Sequence, residues 1–215
     1  MNPNLCNTCD SRFVNTMKTR QITRPATILF ADVRDYTPLS QTTGSQEMAT
    51  LLSGFYDLCA TAVWERDGII NKMIGDAIFA VFNFPITRED HIECAVDAGM
   101  EILEKCKEMK ITSGLSEQVE VGIGVGIHTG DVSVGDIGSL CKDFTVIGEV
   151  VNMSSRLQGV AKPGELALSE AIYEKVNNVY PGIEPQAFDL KGIDRPVTAY
   201  ILAADQRVTS GRQNG

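Results

Sequence analysis

The sequence has few basic residues and no long apolar run, and each shortage excludes a class of protein. It holds 19 Lys and Arg against 28 Asp and Glu, with a formal charge of −9 and a pI near 4.7. A general binder of nucleic acid or acidic membranes needs a basic field, so neither is expected, and phosphate groups must be bound by a few placed side chains. No apolar stretch approaches the roughly 20 residues that cross a bilayer, and the N-terminus lacks the apolar core of a secretory signal. We therefore expect a cytoplasmic protein without a membrane segment.

Six cysteines are too scattered to form a disulfide framework. Cys6 and Cys9 form a Cys-x-x-Cys pair, which is typical of half a zinc site or of a redox couple. One chain offers no second pair or nearby His to complete a tetrahedral shell, so a site shared across a dimer and a plain extension both stay open. The other four stand alone within apolar patterns typical of reduced, buried thiols: Cys59, Cys94, Cys106 and Cys141.

The length of 215 residues with 43% hydrophobic content suits one main domain with short tails. Residues 1–24 are polar and have neither a helical nor a strand period, so we interpret them as an extension that carries the Cys pair. The folded domain is expected over residues 25–205, followed by a tail over residues 206–215.

Apolar periodicity predicts an α+β fold with the ferredoxin-like order β-α-β-β-α-β. The predicted elements are a strand over 27–33, a helix over 45–66, a hairpin of strands over 69–74 and 77–82, a helix over about 88–109 and a strand over 119–128. In this arrangement an antiparallel sheet carries both helices on one face, and further helices and strands follow at the C-terminal end, beginning near Val150. The glycines at 122, 124 and 126 indicate close packing along the last of these strands.

Two acidic residues stand at the ends of predicted strands. Asp32 interrupts the apolar run TILFADV, and Asp76 lies in the tight turn of the hairpin. A right-handed crossover through the first helix makes the first two strands parallel, so both carboxylates are expected at one edge of the sheet. At roughly 4 Å and an effective dielectric constant of about 20 they repel by a few kcal/mol, unless protonated or bridged by cations. Two carboxylates suit Mg²⁺ or Mn²⁺, which bind substrate phosphates, and therefore indicate phosphoryl or nucleotidyl transfer.

Each carboxylate also has a plainer interpretation. Asp32 would cap a turn or pair with Arg34, and Asp76 would stabilise the backbone of its own turn. The placement of both residues by one topology, rather than either residue alone, favours the metal site.

Four segments resemble the class III adenylyl and guanylyl cyclase catalytic domain, over residues 25–203. FADVRDYTPLS at 30–40 is similar to the family's first metal motif, NKMIGDAIFAVF at 71–82 to its second, FTVIGEVVNMSSRL at 144–157 to its transition-state motif, and FDLKGIDRPVTAYIL at 188–202 to its closing strand pair. The resemblance implies cyclisation of a nucleoside triphosphate with release of pyrophosphate. It also implies that Asp32 and Asp76 bind two Mg²⁺ or Mn²⁺ ions, with help from the backbone carbonyl of Val33.

The third motif is also informative through its spacing. Asn152 and Arg156 are four residues apart on a predicted helix and share a face, so both reach one ligand. An Arg fork suits the charge that spreads over phosphoryl oxygens during transfer, and Asn suits a ribose held for attack on the α-phosphate. These are their roles in the family. Outside such a motif, an Asn cap with a solvated Arg would be the simpler interpretation.

Lys72 and Thr145 carry the implied choice of substrate. Lys72 would donate to a ring nitrogen of adenine and Thr145 would accept from its exocyclic amine, whereas similar cyclases selective for GTP have Glu and a small polar residue such as Cys there. The resemblance therefore implies ATP, and Thr145 resembles the bacterial and soluble subgroup that responds to bicarbonate. Lys191 is similar to the lysine that binds the triphosphate. For both lysines, a solvated surface position is the alternative.

In the family, one chain supplies the two metal-binding Asp residues and its partner supplies the nucleotide-binding residues, so a homodimer is expected to form two complete sites. Asp35 departs from the pattern, because most members have Gly there and a side chain could crowd the loop. This departure keeps open a second hypothesis, a weak or silent homologue that acts as a nucleotide-binding regulatory or dimerisation module. A diguanylate cyclase or polymerase, the third hypothesis, would need a GGDEF-like hairpin or a templating surface that the sequence lacks.

Overall fold

The computed structural model describes residues 21–112, 118–137 and 143–206. The pair Cys6 and Cys9, most of the predicted extension and the tail beyond Gln206 lie outside these ranges, so the predictions about them stay predictions. Within the described ranges, no helix is both long and apolar enough to cross a lipid bilayer.

Ten strands and five helices follow one another along the described chain. The strands are β1 (Ile22–Val33), β2 (Ile69–Ile74), β3 (Ala77–Phe82), β4 (Lys110–Thr112), β5 (Gln118–Glu120), β6 (Ile123–Ile137), β7 (Asp143–Ile147), β8 (Glu165–Ser169), β9 (Pro185–Phe188) and β10 (Val197–Ala203). The helices are α1 (Tyr36–Thr42), α2 (Ser45–Trp64), α3 (His91–Cys106), α4 (Glu149–Val160) and α5 (Glu170–Val176).

Eight of the strands form one sheet in the order β2-β3-β1-β6-β8-β10-β9, with β7 paired to the end of β6. β3 is antiparallel to both β1 and β2, so β1 and β2 run parallel, as the crossover through α2 predicts. The order β2-β3-β1-β6 together with α2 and α3 is the expected β-α-β-β-α-β unit, and β8 to β10 extend it. The prediction of a ferredoxin-like α+β fold with C-terminal additions is confirmed.

The larger core lies between the sheet and the helices α2 and α3. β1 contributes Leu29, Ala31 and Val33, and the helices add fully buried side chains such as Phe55 and Ile102. Apolar residues recur in these helices at three- and four-residue spacing, which lines one face. Burial of each large side chain stabilises the fold by about 1.5–3 kcal/mol.

A second apolar cluster lies on the opposite face of the sheet. Phe30 stacks there on Phe79, with 4.9 Å between the ring centroids. Asp32 lies on this face as well, since alternate residues of a strand share a face and Asp32 follows Phe30 by two. The buried members of the cluster include Ala26, Ile28, Ile69, Phe79, Val81, Val132, Val134 and Val146.

Helix α4 packs against β6 on this second face. A Cβ at Gly126 would overlap the backbone of Ser154 and Gln158, so the helix approaches the strand more closely than a side chain would allow. The Ser154 hydroxyl also donates to the Ile28 carbonyl, at 3.2 Å. The glycines of this strand therefore serve close packing, as predicted.

Several boundaries differ from the sequence prediction. β1 begins at Ile22 rather than Thr27, because its polar first half pairs with β6 through backbone hydrogen bonds that need no apolar pattern. β6 continues to Ile137 through the glycine-rich stretch, and α3 is shorter at both ends than predicted. No pattern in the sequence predicts α1, since its seven residues include no buried side chain.

Candidate active site

Asp32 and Asp76 meet at one edge of the sheet. Asp32 is the penultimate residue of β1 and lies opposite Ala77, the first residue of β3. Asp76 precedes Ala77 in the turn, and its carbonyl accepts a hydrogen bond from the Val33 amide at 3.1 Å. The structure thus brings the two residues together as the topology predicts, while their binding of metal stays a prediction.

The turn that contains Asp76 is hydrogen-bonded to α2. Gly75 takes a φ of 62°, which favours glycine, and its carbonyl accepts a hydrogen bond from the Tyr56 hydroxyl. Burial raises the pKa of Tyr56, and the nearby Tyr36 and Asp76 add to the rise, so the phenol keeps its proton and stays a donor. The role of Tyr56 could not be predicted from the sequence, because nothing local to a helix indicates contact with a turn 19 residues later.

The Asp32 carboxyl group is partly withdrawn from water, with its side chain 26% exposed. Burial is the main cause that raises its pKa, and the charge of Asp76 is the second. Arg34 acts against both, since its Nη1 lies 3.8 Å from Asp32 Oδ1, near the limit for an ion pair. The interpretation of Asp32 as a partner of Arg34 is therefore correct in part, yet the pKa stays raised. A divalent cation would relieve this repulsion.

The ligands at this edge suit a cation that keeps part of its coordination shell for other groups. Among the described residues, no group of three or more His, Cys, Asp or Glu side chains is placed to hold a metal ion. Asp32, Asp76 and the adjacent carbonyl of Val33 offer hard oxygen ligands, which Mg²⁺ and Mn²⁺ accept alongside waters and phosphate oxygens. The residues present therefore fit the implied cations.

Asp35 adopts a left-handed backbone conformation, with φ 57° and ψ 26°. Glycine enters this region without strain, and Asp and Asn tolerate it better than other side chains. Asp35 is exposed, and its carbonyl accepts a hydrogen bond from the Leu39 amide at 3.0 Å, at the start of α1. This conformation explains how a position that is commonly Gly in the family accepts Asp.

Asn152 and Arg156 share the outer face of α4. At 3.6 residues per turn they lie on the side of the helix opposite the residues that pack on the sheet. Asn152 is exposed and Arg156 is half-buried. The helix is capped at Gly148 and begins at Glu149, so the interpretation of Asn152 as a helix cap is wrong. The buried residues of the inner face are Val150, Ser154, Leu157 and Gln158.

Lys191 is exposed in the turn between β9 and β10. The next residue, Gly192, has a φ of 74°, and a Cβ there would lie 3.4 Å from Arg156 Nη2. The structure therefore brings the backbone of the turn that carries Lys191 close to the Arg156 guanidinium group.

Lys72 and Thr145 lie on two strands, β2 and β7, that each contribute a residue to the second apolar cluster. Lys72 lies on β2 opposite Phe79, directly after a one-residue bulge, and Thr145 lies on β7 opposite Gly135. Both are half-buried. Phe79 and Val146, the residue after Thr145, belong to that cluster. Lys72 therefore shares a sheet face with Phe79 of this cluster, whereas Thr145 is next to Val146 in β7 and projects from the other face of that strand.

Comparison with known proteins gives matches that span most of the chain. A sequence profile of the adenylate and guanylate cyclase catalytic domain matches residues 19–204. The adenylate cyclase of Anabaena cylindrica is 32% identical over 182 residues, or 81% of this chain and 34% of that protein. The receptor-type guanylate cyclase gcy-19 of Caenorhabditis briggsae is 31% identical over 157 residues, or 72% of this chain and 13% of that protein.

Solved structures agree with the sequence match. The crystal structure of the adenylyl cyclase CyaB from P. aeruginosa has a TM-score of 0.73 and 26% identity, covering 91% of this chain and all of that one. The chain spans about a third of the Anabaena protein and less of the nematode one. Both adenylate and guanylate cyclases are thus among its relatives. Together with the fold and the three motifs, these matches show that the chain belongs to the class III adenylate and guanylate cyclase catalytic-domain family.

Proposed function

We propose that the chain is an adenylate cyclase, which converts ATP to 3′,5′-cyclic AMP and pyrophosphate in active sites shared by two copies. The observation that carries this proposal is the meeting of Asp32 and Asp76, where Asp32 is partly desolvated and incompletely neutralised. A carboxylate pair in this state favours divalent cations, and divalent cations attract a triphosphate. Because ATP is the substrate, we place the reaction in the cytoplasm.

Asp32 and Asp76 would hold two Mg²⁺ or Mn²⁺ ions with the Val33 carbonyl. Bound there, the ions supply Lewis acidity, which eases loss of the ribose 3′-hydroxyl proton and stabilises the leaving pyrophosphate. No side chain is then required as a general base. The 3′-oxygen forms a bond to the α-phosphorus as the bond to the bridging oxygen of pyrophosphate breaks.

Asn152, Arg156 and Lys191 would bind the nucleotide from the other side. Asn152 would orient the ribose, the Arg156 fork would stabilise charge on the α-phosphoryl oxygens in the transition state, and Lys191 would bind the triphosphate. The closeness of Gly192 to Arg156 supports this grouping, because Gly192 belongs to the same turn as Lys191.

Two chains are needed because these groups and the carboxylates face different directions. The inner face of α4 lies on the sheet face that bears Asp32, so the outer face, with Asn152 and Arg156, points away from it. A second copy related by two-fold symmetry would present its outer α4 face to Asp32 and Asp76 of the first. A homodimer would then hold two complete sites.

ATP is the proposed substrate because Lys72 and Thr145 offer a donor and an acceptor that suit adenine. The relatives include both adenylate and guanylate cyclases, so the choice depends on these two residues. The double substitution Lys72→Glu with Thr145→Cys should shift the ratio of kcat/KM values from ATP toward GTP by at least about tenfold, which corresponds to about 1.4 kcal/mol. An unchanged ratio in a folded, active double variant would remove the basis for assigning ATP.

The direct test is an assay of the purified protein with Mn²⁺ and either ATP or GTP, with chromatography to identify products. Cyclic AMP as the main product supports the proposal. Cyclic GMP would move the substrate to GTP, cyclic di-GMP would indicate a diguanylate cyclase, and nucleotide binding without turnover would favour the silent regulatory homologue.

The shared site has a separate test in mixed dimers. Asp32→Ala and Arg156→Ala chains should each be inactive alone, with losses of at least about 10²-fold. Mixing them should restore one working site per heterodimer, because each chain keeps the half that the other lacks. If each variant is folded and dimeric and the mixture stays inactive, the site is not shared in this way.

A further inference from the structure

Arg34 contacts two elements that supply different parts of the proposed site. Its Nη1 lies 3.8 Å from Asp32 Oδ1 at the end of β1, and its Nη2 donates a hydrogen bond to the Gln158 carbonyl near the end of α4. The Arg34 amide donates to the Gly122 carbonyl at 2.8 Å, which fixes the base of the side chain. One guanidinium group thus bridges a proposed metal ligand and the proposed transition-state helix.

The fold leaves space for this bridge at Gly124. Gly124 lies opposite Asp32 in β6, and a Cβ there would overlap the Arg34 guanidinium group. The Arg34 side chain is 19% exposed, and its Nε is buried with no hydrogen-bond partner among the described residues. A buried, unpaired nitrogen is costly, and a solvated arginine would avoid it. The side chain is therefore held in place rather than merely exposed to water.

The carboxyl end of α4 receives its positive charge from Arg34. The last turn of the helix contains no basic residue of its own, and the carbonyls of a last turn carry partial negative charge. The Gln158 carbonyl accepts from the Ala161 amide at 3.2 Å, and Arg34 adds a charge-assisted hydrogen bond. Arg34 therefore stabilises the end of this helix from the turn that follows β1.

We propose that Arg34 is a positioning residue that couples the two half-sites carried by one chain. The inference rests on the proposed function, because in a shared-site dimer Asp32 serves one active site and α4 of the same chain serves the other. Neutralisation of Asp32 by bound cations removes the attraction between Asp32 and Arg34. The guanidinium group then interacts more strongly with the end of α4, so occupancy of one site adjusts the helix that completes the second.

The first test needs no turnover. Hydrogen exchange at amides 158–161 is measured with and without Mn²⁺, and Mn²⁺ binding is followed by electron paramagnetic resonance. In the wild type, Mn²⁺ should slow exchange at these amides severalfold. In Arg34→Met, exchange should be about tenfold faster and unresponsive to Mn²⁺, since a hydrogen bond to a charged group is lost. Mn²⁺ should nevertheless bind a few-fold more tightly, because a competing positive charge is gone.

Arg66 provides a matched control. It also joins a carboxylate and a helix carbonyl, with Nη2 at 2.5 Å from Glu101 Oε2 and Nη1 at 2.9 Å from the Ala62 carbonyl, but it lies outside the proposed site. Arg66→Met should leave Mn²⁺ binding and exchange at 158–161 unchanged. Equal responses of the wild type and Arg34→Met to Mn²⁺, or no response in either, would overturn the coupling.

The mixed dimer separates the two contacts of Arg34. Its working site takes Asp32 from the Arg156→Ala chain and α4 from the Asp32→Ala chain. Adding Arg34→Met to the Asp32→Ala chain should lower kcat about tenfold with unchanged dependence on Mn²⁺, since only the support of α4 is lost. Adding it to the Arg156→Ala chain should instead lower the Mn²⁺ concentration for half-maximal activity a few-fold.

An unchanged kcat in the first of these mixtures would overturn the support of α4 by Arg34. If the wild-type protein makes no cyclic nucleotide at all, the proposed function fails, and the exchange measurement still decides the role of Arg34.

Discussion

Replacement of Asp32 by Asn tests the proposed metal site through stability alone. The substitution keeps the shape of the side chain and removes the charge that burial and Asp76 disfavour. Without divalent cations, we therefore expect Asp32→Asn to be more stable than the wild type. With saturating Mn²⁺ the order should reverse, because only the wild type gains stability from binding the ion.

The expected size follows from simple electrostatics. At an effective dielectric constant of about 20, two unit charges roughly 4–8 Å apart repel by about 2–4 kcal/mol, and salt and partial exposure reduce this to about 1–2 kcal/mol. Loss of the long Asp32–Arg34 ion pair offsets up to about 1 kcal/mol. The net gain of about 1 kcal/mol corresponds to a rise in Tm of about 2–4 °C for a domain of this size.

Thermal unfolding in EDTA and in Mn²⁺ measures both effects. At a Mn²⁺ concentration about 100 times Kd, the wild type should gain about 2.7 kcal/mol, and Asp32→Asn should gain little. The gain should also depend on pH. Because the pKa of Asp32 is raised in the fold, the metal-free protein binds its proton more tightly folded than unfolded, so this contribution to stability is lost as the pH rises through that pKa. The stabilisation by Mn²⁺ should therefore grow as the pH rises through the raised pKa of Asp32.

Asp35→Asn is the matched control, because it removes one negative charge from the same loop and keeps a residue that tolerates the left-handed conformation. It should change the response to Mn²⁺ only slightly. A lower Tm for Asp32→Asn in EDTA, together with an undiminished rise on addition of Mn²⁺, would refute the assignment of Asp32 as a desolvated metal ligand.

Five further substitutions, at four positions, test the surroundings of the site by thermal unfolding and Mn²⁺ titration. Gly126→Ala should destabilise the fold by about 1–3 kcal/mol through collision with α4, whereas Gly159→Ala, whose Cβ meets open space, should be neutral or stabilise by up to about 1 kcal/mol. Tyr56→Phe should lower the free energy of unfolding by about 0.5–1.5 kcal/mol and weaken Mn²⁺ binding, because the turn before Asp76 loses its hydrogen bond to α2. Unchanged Mn²⁺ binding would show that this hydrogen bond does not position Asp76. Asp35→Gly should match or exceed the wild type in stability, whereas Asp35→Val should lose about 1 kcal/mol or more to left-handed strain.

The fold could be predicted wherever burial sets a period. The hairpin strands β2 and β3 and the start of α2 were predicted at the residues where they occur, because each presents an apolar pattern to the core. The first half of β1 and the last part of β6 escaped prediction. They are stabilised by pairing with each other, and backbone hydrogen bonds do not require a particular residue pattern in either strand.

Some features of the candidate site could likewise be predicted from the sequence, and others could not. The approach of Asp32 to Asp76 followed from a handedness rule, and the shared face of Asn152 and Arg156 followed from helical spacing. The bond from Tyr56 to the Gly75 carbonyl could not be foreseen, since it joins elements whose relative position only packing decides. The pairing of Arg34 with Asp32 could be foreseen as an alternative, because Arg34 follows Asp32 by only two residues in the sequence.

The close packing of α4 explains why one chain should not complete its own site. Gly126 allows the helix to contact the sheet backbone to backbone, so there is no space between α4 and β6 for a nucleotide. Rotation of the helix to turn Asn152 and Arg156 inward would expose Leu157 and bury a guanidinium group against Gly126, at a cost of several kcal/mol. A second copy that offers its outer α4 face requires no such rearrangement. The close packing at Gly126 thus supports the proposal that Asn152 and Arg156 act in a site shared with a second copy.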